Sequence, residues 1–305
     1  MTDLDQRADE RLALIFEGER AHLRAVAYRM LGSLTEADDV VQDAWLRYRR
    51  ADTSDVDNVR GWLTTVVARL CLDALRSRRS RREEPFGFNL PDPLLTAASG
   101  PDPEQQVLVA DAVGVAMLVV LDTLSPPERL AFVLHDVFGV PFDEIAPIVD
   151  RTPEAARQLA SRARRRVRGA HAQSDVDVGR QRRVVDAFLA AARDGNFDAL
   201  VAMLDPDAVA RADFGSAPSD ASATAAGVFE VHGAADVASQ ALMFRRLAPG
   251  ARSALVNGGA GIAVFAGDRP FAVLAFTVRG ERITEIDILA DPARLARIDF
   301  SVLDA

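Results

Sequence analysis

Apolar side chains recur at three- and four-residue spacing early in the chain. Leu12, Ile15, Phe16, Leu23, Val26, Ala27, Met30 and Leu31 fall on one helical face, and Gly32-Ser33 stops it. Thr35 with Asp38 three residues on reads as a capping box for a second helix, which carries Val40, Val41, Ala44, Trp45 and Tyr48. A polar loop from Ala51 to Asn58 leads to the cleanest stripe of all: Val59, Trp62, Leu63, Val66, Val67, Leu70, Cys71, Ala74 and Leu75. The opposite face holds Arg60, Thr64, Thr65, Arg69 and Arg76. Cys71 lies within the stripe and is expected to be an inert core residue.

The periodicity breaks at 83–104, where prolines 85, 91, 93, 101 and 103 predict an extended linker. It resumes over 105–170. Val113, Met117, Val120, Leu121 and Leu124 lead to Ser125-Pro126-Pro127-Glu128, a helix start with Ser as cap, Pro in the first turn and Glu three residues after the cap. That helix carries Leu130, Val133, Leu134 and Val137, and Gly139 closes it. A short helix from about Phe142 to Val149 follows, with Pro147 expected to kink it or end it early. After Asp150-Arg151-Thr152, Thr152 caps a last helix reaching about Arg168, so the segment reads as a helix-turn-helix.

Beyond a polar joint at 171–178 the texture changes. Two amphipathic helices (Val184 to Ala192, Phe197 to Leu204) precede strands at Val209–Asp213 and Gly227–Val231, separated by a Ser/Ala/Gly loop. A helix at Ala234–Leu247 and strands at Arg252–Val256, Gly261–Phe265, Phe271–Val278 and Ile283–Leu289 complete the domain. Gly-rich turns between the last strands predict antiparallel hairpins, hence a separate α+β domain.

Charge changes this picture. The chain has 305 residues, 49% hydrophobic, and a net charge of −9, which suits a folded protein and argues at first against a nucleic-acid partner. All 36 cations are arginine. The net charge is 0 over 1–83, −10 over 84–150, +6 over 151–170 and −5 over 171–305. Two short basic stretches, 76–82 and 157–168, are therefore phosphate-neutralising footprints hidden by an acidic total. The acidic linker and tail domain are expected to compete with DNA for them. One cysteine excludes a disulfide framework. His22 and His135 lack spaced partners, so neither a metal nor a cofactor is expected. No apolar run approaches a membrane span, and the acidic N-terminus lacks a signal-peptide layout, so a cytoplasmic location and no membrane partner are expected.

A helix-turn-helix lays its second helix in the major groove and reads bases near that helix's N-terminus. Facing away from Ala156, Leu159 and Ala160 are Arg157, Gln158, Ser161 and Arg162. Arg suits guanine and Gln suits adenine. Arg164, Arg165, Arg166 and Arg168 then lie near phosphates. Two helical units joined by a flexible linker make a bipartite DNA binder.

Two long motifs carry a resemblance. Tyr28 to Ser33 with Glu36-Ala37-Asp38-Asp39-Val40-Val41-Gln42-Asp43-Ala44-Trp45-Leu46, and then Trp62 to Asp73, resembles the second domain of extracytoplasmic-function sigma factors. Leu124 to Arg129, His135 to Gly139 and Arg157 to Arg164 resemble their fourth domain. The resemblance implies an alternative sigma factor that binds core RNA polymerase and directs it to promoter DNA, with no covalent chemistry of its own. It implies sigma domain 2 at 11–82, the linker at 83–104 and sigma domain 4 at 105–170. Asp38, Asp39, Val41, Gln42, Asp43, Trp45 and Leu46 would dock on the coiled coil of the largest polymerase subunit, and the polymerase flap is a further partner. Tyr48, Asn58, Arg60, Arg69, Arg76 and Arg79 are the candidate contacts to the −10 element, where strand opening needs bases flipped and gripped. Trp45 and Trp62 also lie on apolar faces and read as core. Thr152, Arg157, Gln158, Ser161, Arg162 and Arg165 are the candidate contacts to the −35 element.

Residues 176–305 resemble the SnoaL-like, nuclear-transport-factor-2-like fold, a cone of helices over a curved sheet. The whole is thus a multidomain chain: two all-α sigma domains, the second with the helix-turn-helix, followed by an α+β cone. In the sigma subgroup with this extension, the extension regulates in place of a separate anti-sigma protein. Its linker often has Trp-Leu-Pro-Glu-Pro, where this chain has Asn89-Leu90-Pro91-Asp92-Pro93; its first strand often ends in Asp-Gly-Gly-Gly, where this chain has Asp213-Phe214-Gly215-Ser216. Those departures bring the regulatory contact built from Leu90, Pro91, Asp92, Pro93, Asp213 and Gly215 into question. Such cones also hold enzymes, and His232, Asp213, Glu285 and Asp287 are the available acid–base groups. Glu285 and Asp287 read first as a solvent-facing strand edge, and His232 as a turn residue. Two rival readings therefore stand: a helix-turn-helix repressor with a ligand-sensing cone, and an isomerase or hydrolase with a DNA-binding appendage.

Overall fold

The computed structural model describes residues 3–51, 56–81, 90–96, 114–169, 177–215 and 227–303. They form two units: one gathers 3–51, 56–81 and 121–169, the other 90–96, 114–120, 177–215 and 227–303.

The first unit is helical. Helix α1 spans Asp3–Leu31, α2 Leu34–Tyr48 and α3 Val59–Arg81. Phe16, Leu23, Met30, Val41, Leu63, Val67 and Cys71 are buried where these helices meet. Burial pushes the Cys71 thiol pKa up, so it stays a protonated core residue. The α2 cap is Ser33, whose hydroxyl accepts from the Glu36 N–H, and not Thr35. Gly32, at φ 72°, turns the chain so early that the helix starts before Thr35 is reached.

Helix α4, Val115–Asp122, crosses the boundary between the units. In the first unit, α5 spans Pro126–Phe132; the Ser125 N–H and hydroxyl both donate to Glu128, the expected capping box. A π turn, Val133–Val137, extends it, which the 3.6 period did not reveal. Helix α6 covers Phe142–Ile145, ending before Pro147 as expected, and α7 covers Pro153–Gly169. The Thr152 hydroxyl accepts from the Ala155 N–H, so it is the α7 cap.

Arg129 ties α5 to the end of α1. Its Nε and Nη2 donate to the Arg29 carbonyl at 3.3 and 3.2 Å, and its Nη1 to Asp122 at 3.1 Å. The last carbonyls of a helix have no partner within it, and a cation there also meets the negative end of the helix dipole. Arg78 donates to the last such carbonyl, Leu31, at 3.0 Å. Buried Arg29 lies 5.2 Å from the Phe138 ring, and His22 meets the same ring edge-on.

The second unit is built on a seven-stranded sheet. Helix α8 spans Val178–Asp194, α9 Phe197–Met203, α10 Ala234–Met243 and the single turn α11 Pro292–Leu295. The strands are β1 Leu95–Thr96, β2 Leu204–Asp213, β3 Val228–His232, β4 Ala251–Val256, β5 Gly259–Ala266, β6 Arg269–Arg279 and β7 Arg282–Leu289. Their spatial order is β1-β4-β5-β6-β7-β2-β3. The predicted hairpins form, β4 and β5 through an Asn257-Gly258 turn with both φ positive. Two pairings were not legible: β2 lies parallel to β7, and the linker supplies β1 to the edge of the sheet. Helices packed on a mixed sheet agree with the α+β cone that the SnoaL resemblance implies.

The sheet has two buried faces. Toward α8 to α10 it packs Phe188, Leu200, Ile262, Phe276 and Ile286. On the other face Leu90 and Leu95 of the linker, Val115 and Val119 of α4, and Leu295 cover Val256, Val273 and Leu289.

Candidate functional site

Three surfaces carry the chemistry. On α7, Arg157, Gln158, Ser161, Arg162 and Arg165 are exposed, while Ala156, Leu159, Ala160 and Ala163 are buried, as the amphipathic pattern dictates. Thr152 is exposed at the cap. The Arg157 guanidinium sits 5.3 Å from the Phe142 ring centroid, a stacking that positions it at the helix N-terminus. Arg162 and Arg166 both reach Glu128, at 3.1 Å each, and Arg164 reaches Asp136 at 2.5 Å. Burial pushes the Glu128 carboxyl up, but the Ser125 donors with Arg166 and Arg162 outweigh it and hold the carboxyl below its ordinary value. Arg162 is thus drawn toward α5, which its place on the α7 face did not foretell.

On α2 the side chains of Asp38, Asp39, Gln42 and Asp43 are exposed, and Leu46 is 39% exposed beside them. Asp38 pairs with Arg24 at 2.5 Å. Two residues of this set fall elsewhere: Val41 is 2% exposed in the helical core, and Trp45 is half-buried against Phe16, 5.1 Å between ring centroids. A stripe of period 3.6 turns positions 41 and 45 inward with 37, 44 and 48.

On α3 and the loop before it, Asn58, Arg60, Arg69, Arg76 and Arg79 are exposed. Asn58 also caps α3 by accepting from the Gly61 N–H at 2.9 Å. Arg60 contacts His22 Nδ1 at 3.1 Å and Glu19 at 3.5 Å. Tyr48 corrects an expectation. It is 1% exposed, its ring 5.9 Å from Trp62, 6.3 Å from Trp45 and 6.4 Å from Phe16, and so it is core rather than a base-gripping surface residue. Residues 52–55 and the end of the first basic stretch, Arg82, lie outside the described residues.

In the sheet unit the linker contact is made despite the departures in both motifs. Arg294 of α11 donates to Asp92 from Nε and Nη2 at 2.8 and 2.6 Å, to the Leu90 carbonyl at 2.6 Å, and to Asp213 at 2.8 Å. Leu94 exchanges two bonds with Asn257: its N–H to the side chain at 2.9 Å, its carbonyl from the backbone N–H at 2.8 Å. Gly215 is needed at the junction, since a Cβ there would lie 2.6 Å from the Asp291 carboxyl. Asp92 stands where the family has Glu and still supplies a carboxylate to Arg294, and Asp213 supplies the second. Arg294 itself went unnoticed in the sequence, where it is one arginine among many.

The acid–base candidates do not line the cavity between sheet and helices; Asp287 borders only a small pocket beside Leu90 and Pro91 of the linker. Glu285 and Asp287 are not a solvent-facing edge: both are buried, and Arg211 reaches them at 2.8 and 3.3 Å. The parallel β2–β7 pairing sets Arg211 opposite Asp287. Burial raises the Asp287 carboxyl to about 7, Arg211 opposing and Glu285 adding to the rise. Their neighbours Ile286 and Ile288 point the other way, into the cavity between sheet and helices. His232 is exposed and meets Glu230 at 2.8 Å. No cluster of metal-ligating side chains and no helix long and apolar enough to cross a membrane occurs among the described residues.

Comparison with known proteins fits this arrangement. Residues 15–81 match the family model for sigma-70 region 2, and residues 115–167 that for sigma-70 region 4. The chain is 40% identical over 292 residues to the ECF RNA polymerase sigma factor SigJ of Mycobacterium tuberculosis, covering 91% of each chain. It is 39% identical over 191 residues to the probable ECF RNA polymerase sigma factor SigI of the same species, 63% of this chain and 66% of that one. The crystal structure of Mycobacterium tuberculosis SigJ superposes with a TM-score of 0.74 at 35% identity, over 93% of this chain and 98% of that one.

Proposed function

The chain belongs to the ECF RNA polymerase sigma factors, and from that premise we propose which of its surfaces do the work. It partners core RNA polymerase and promoter DNA and directs initiation, and its relatives are sigma factors rather than enzymes. The observation that carries the residue-level reading is the exposure of α2 and α7 on the faces that the family motifs predict. Asp38, Asp39, Gln42, Asp43 and Leu46 dock on the coiled coil of the largest subunit. Arg157, Gln158 and Ser161 read the −35 element, with Arg165 and Thr152 at phosphates. Asn58, Arg60, Arg69, Arg76 and Arg79 hold the −10 region. The polymerase flap takes the second helical segment, and the protein works in the cytoplasm.

The helical unit as built has to open for this. The two elements lie about 25 base pairs apart, roughly 85 Å at 3.4 Å per pair. A compact body of about 125 residues has a radius of gyration of only about 14 Å. The Arg129 clamp and the Phe138 contacts with Arg29 and His22 hold it closed. The linker, docked by Arg294, is the segment through which the C-terminal domain controls that opening, so no separate anti-sigma factor is required.

Transcription in vitro with core polymerase tests the reading. Arg157→Ala is expected to cost about 1–3 kcal/mol on the cognate −35 element and little on a scrambled one. Equal loss on both would make Arg157 a phosphate contact. A short cross-link between cysteines introduced at His22 and Phe138 is expected to abolish initiation until it is cleaved. Undiminished initiation from the cross-linked protein would refute the opening step.

A further inference from the structure

The cavity between the sheet and helices α8 and α10 encloses about 120 Å³. Of the described residues lining it, only Gln240 and Arg245 have polar side chains. Four phenylalanines form a continuous aromatic wall: Phe229 and Phe214 stack at 5.6 Å between centroids, Phe214 and Phe244 lie 6.5 Å apart, and Phe244 and Phe271 also 6.5 Å. Phe244 is 39% exposed at its edge. A space this apolar offers water too few of the two to four polar partners it needs. An apolar cavity of about 150 Å³ of the same kind of lining stays dry and admits benzene.

We propose that this cavity is a binding site for an uncharged, single-ring aromatic molecule or one of like size and apolarity, and that the linker clasp reports its occupancy. Aromatic rings favour offset and edge-on aromatic neighbours, which the phenylalanine wall presents. A charged ligand would bury its charge in an apolar interior, since Arg245, the one charged residue among the described lining, is exposed to solvent. Turnover has no agent there, because Asp213, Glu285 and Asp287 are engaged with Arg294 and Arg211 on the opposite face.

The route to the linker is short. Phe214 and Ala290 line the cavity. Each is one residue from a clasp component: Asp213, which accepts from Arg294, and Asp291, which caps the helical turn carrying Arg294. The Ala290 N–H donates to the Asp213 carbonyl at 2.7 Å, binding the two strand ends together. A ring seated against Phe214 therefore shifts the strand ends that place Arg294 on Asp92 and Leu90. A ligand moves such an equilibrium only by its difference in affinity for the two states.

The test is calorimetric titration of the full chain with toluene, with benzoate as the charged counterpart, followed by hydrogen exchange at residues 90–96. Toluene is expected to bind with a Kd on the order of 10⁻⁴ M, judged from ligand efficiency for so few atoms. Filling the space with Ala241→Phe, or with Ala212→Leu should the first variant not fold, is expected to weaken binding at least tenfold. Toluene is expected to change exchange at Leu94 in the unaltered chain and not in the filled variant. Absence of toluene binding, tighter binding of benzoate, or binding without any change at 90–96 would each overturn the proposal. The assay contains neither polymerase nor promoter, so its failure leaves the transcriptional reading standing.

Discussion

Each unit is drawn together by one arginine, and the two differ in what they grip and in how deeply. In the helical unit the Arg129 side chain is 3% exposed and holds a backbone carbonyl a hundred residues away, with Asp122 as its carboxylate. Burial pulls its pKa down and Asp122 works against that. In the sheet unit the Arg294 side chain is 18% exposed and holds Asp92, the Leu90 carbonyl and Asp213. A buried cation is costly to strand, so the first contact is a structural clamp. A cation at the rim of water can let go and be resolvated, so the second is a contact suited to regulation.

The largest effect separating them is expected from Arg129→Ala. It removes the cation from Asp122 and the donor from the Arg29 carbonyl and should destabilise the helical unit by about 3–5 kcal/mol. Both tryptophans, Trp45 and Trp62, lie in that unit, so urea unfolding followed by tryptophan fluorescence reads it directly. A loss below about 1 kcal/mol would remove the distinction between clamp and clasp.

The next effect belongs to the sheet unit and depends on pH. The Asp287 carboxyl is raised from 3.8 to about 7, so between those values the folded state holds a proton that the unfolded state has released. Its contribution is present below about pH 4 and is lost as pH rises to about 7, at most about 4 kcal/mol. Asp287→Asn should flatten that part of the stability profile. An unchanged profile would show that Arg211 keeps the carboxylate ionised.

Arg294→Ala is expected to cost less, about 1–3 kcal/mol, and in the sheet unit alone. Proteolysis within 90–96 should accelerate while tryptophan-detected unfolding stays put; a matching loss in the helical unit would contradict a local clasp. The smallest effect is expected from Arg24→Ala, whose exposed pair with Asp38 should contribute under about 1 kcal/mol and vanish in salt.

Much of this was legible in the chain. The α2 and α7 faces follow from apolar spacing, since a 3.6 period assigns each residue a side without reference to any partner. The Ser125 and Thr152 caps and the break before Pro147 are local chemistry and stood where expected. Misreadings arose where a residue's surroundings came from distant sequence. Tyr48 looked available until Phe16, Trp45 and Trp62 closed around it. Glu285 and Asp287 looked like a wet edge because nothing in β7 announces the parallel arrival of Arg211.

The sequence by itself determined the helices, their exposed faces, the helix-turn-helix and the family, because these depend on periodicity, caps and contiguous motifs. Only the tertiary structure decided that the linker becomes a strand of the sheet, that Arg129 and Arg294 are the arginines that tie distant segments of each unit together, and that the carboxylates and the cavity lie on opposite faces. The reason is physical: an arginine's worth is set by its desolvation and by partners a hundred or two hundred residues away, and no local pattern encodes either.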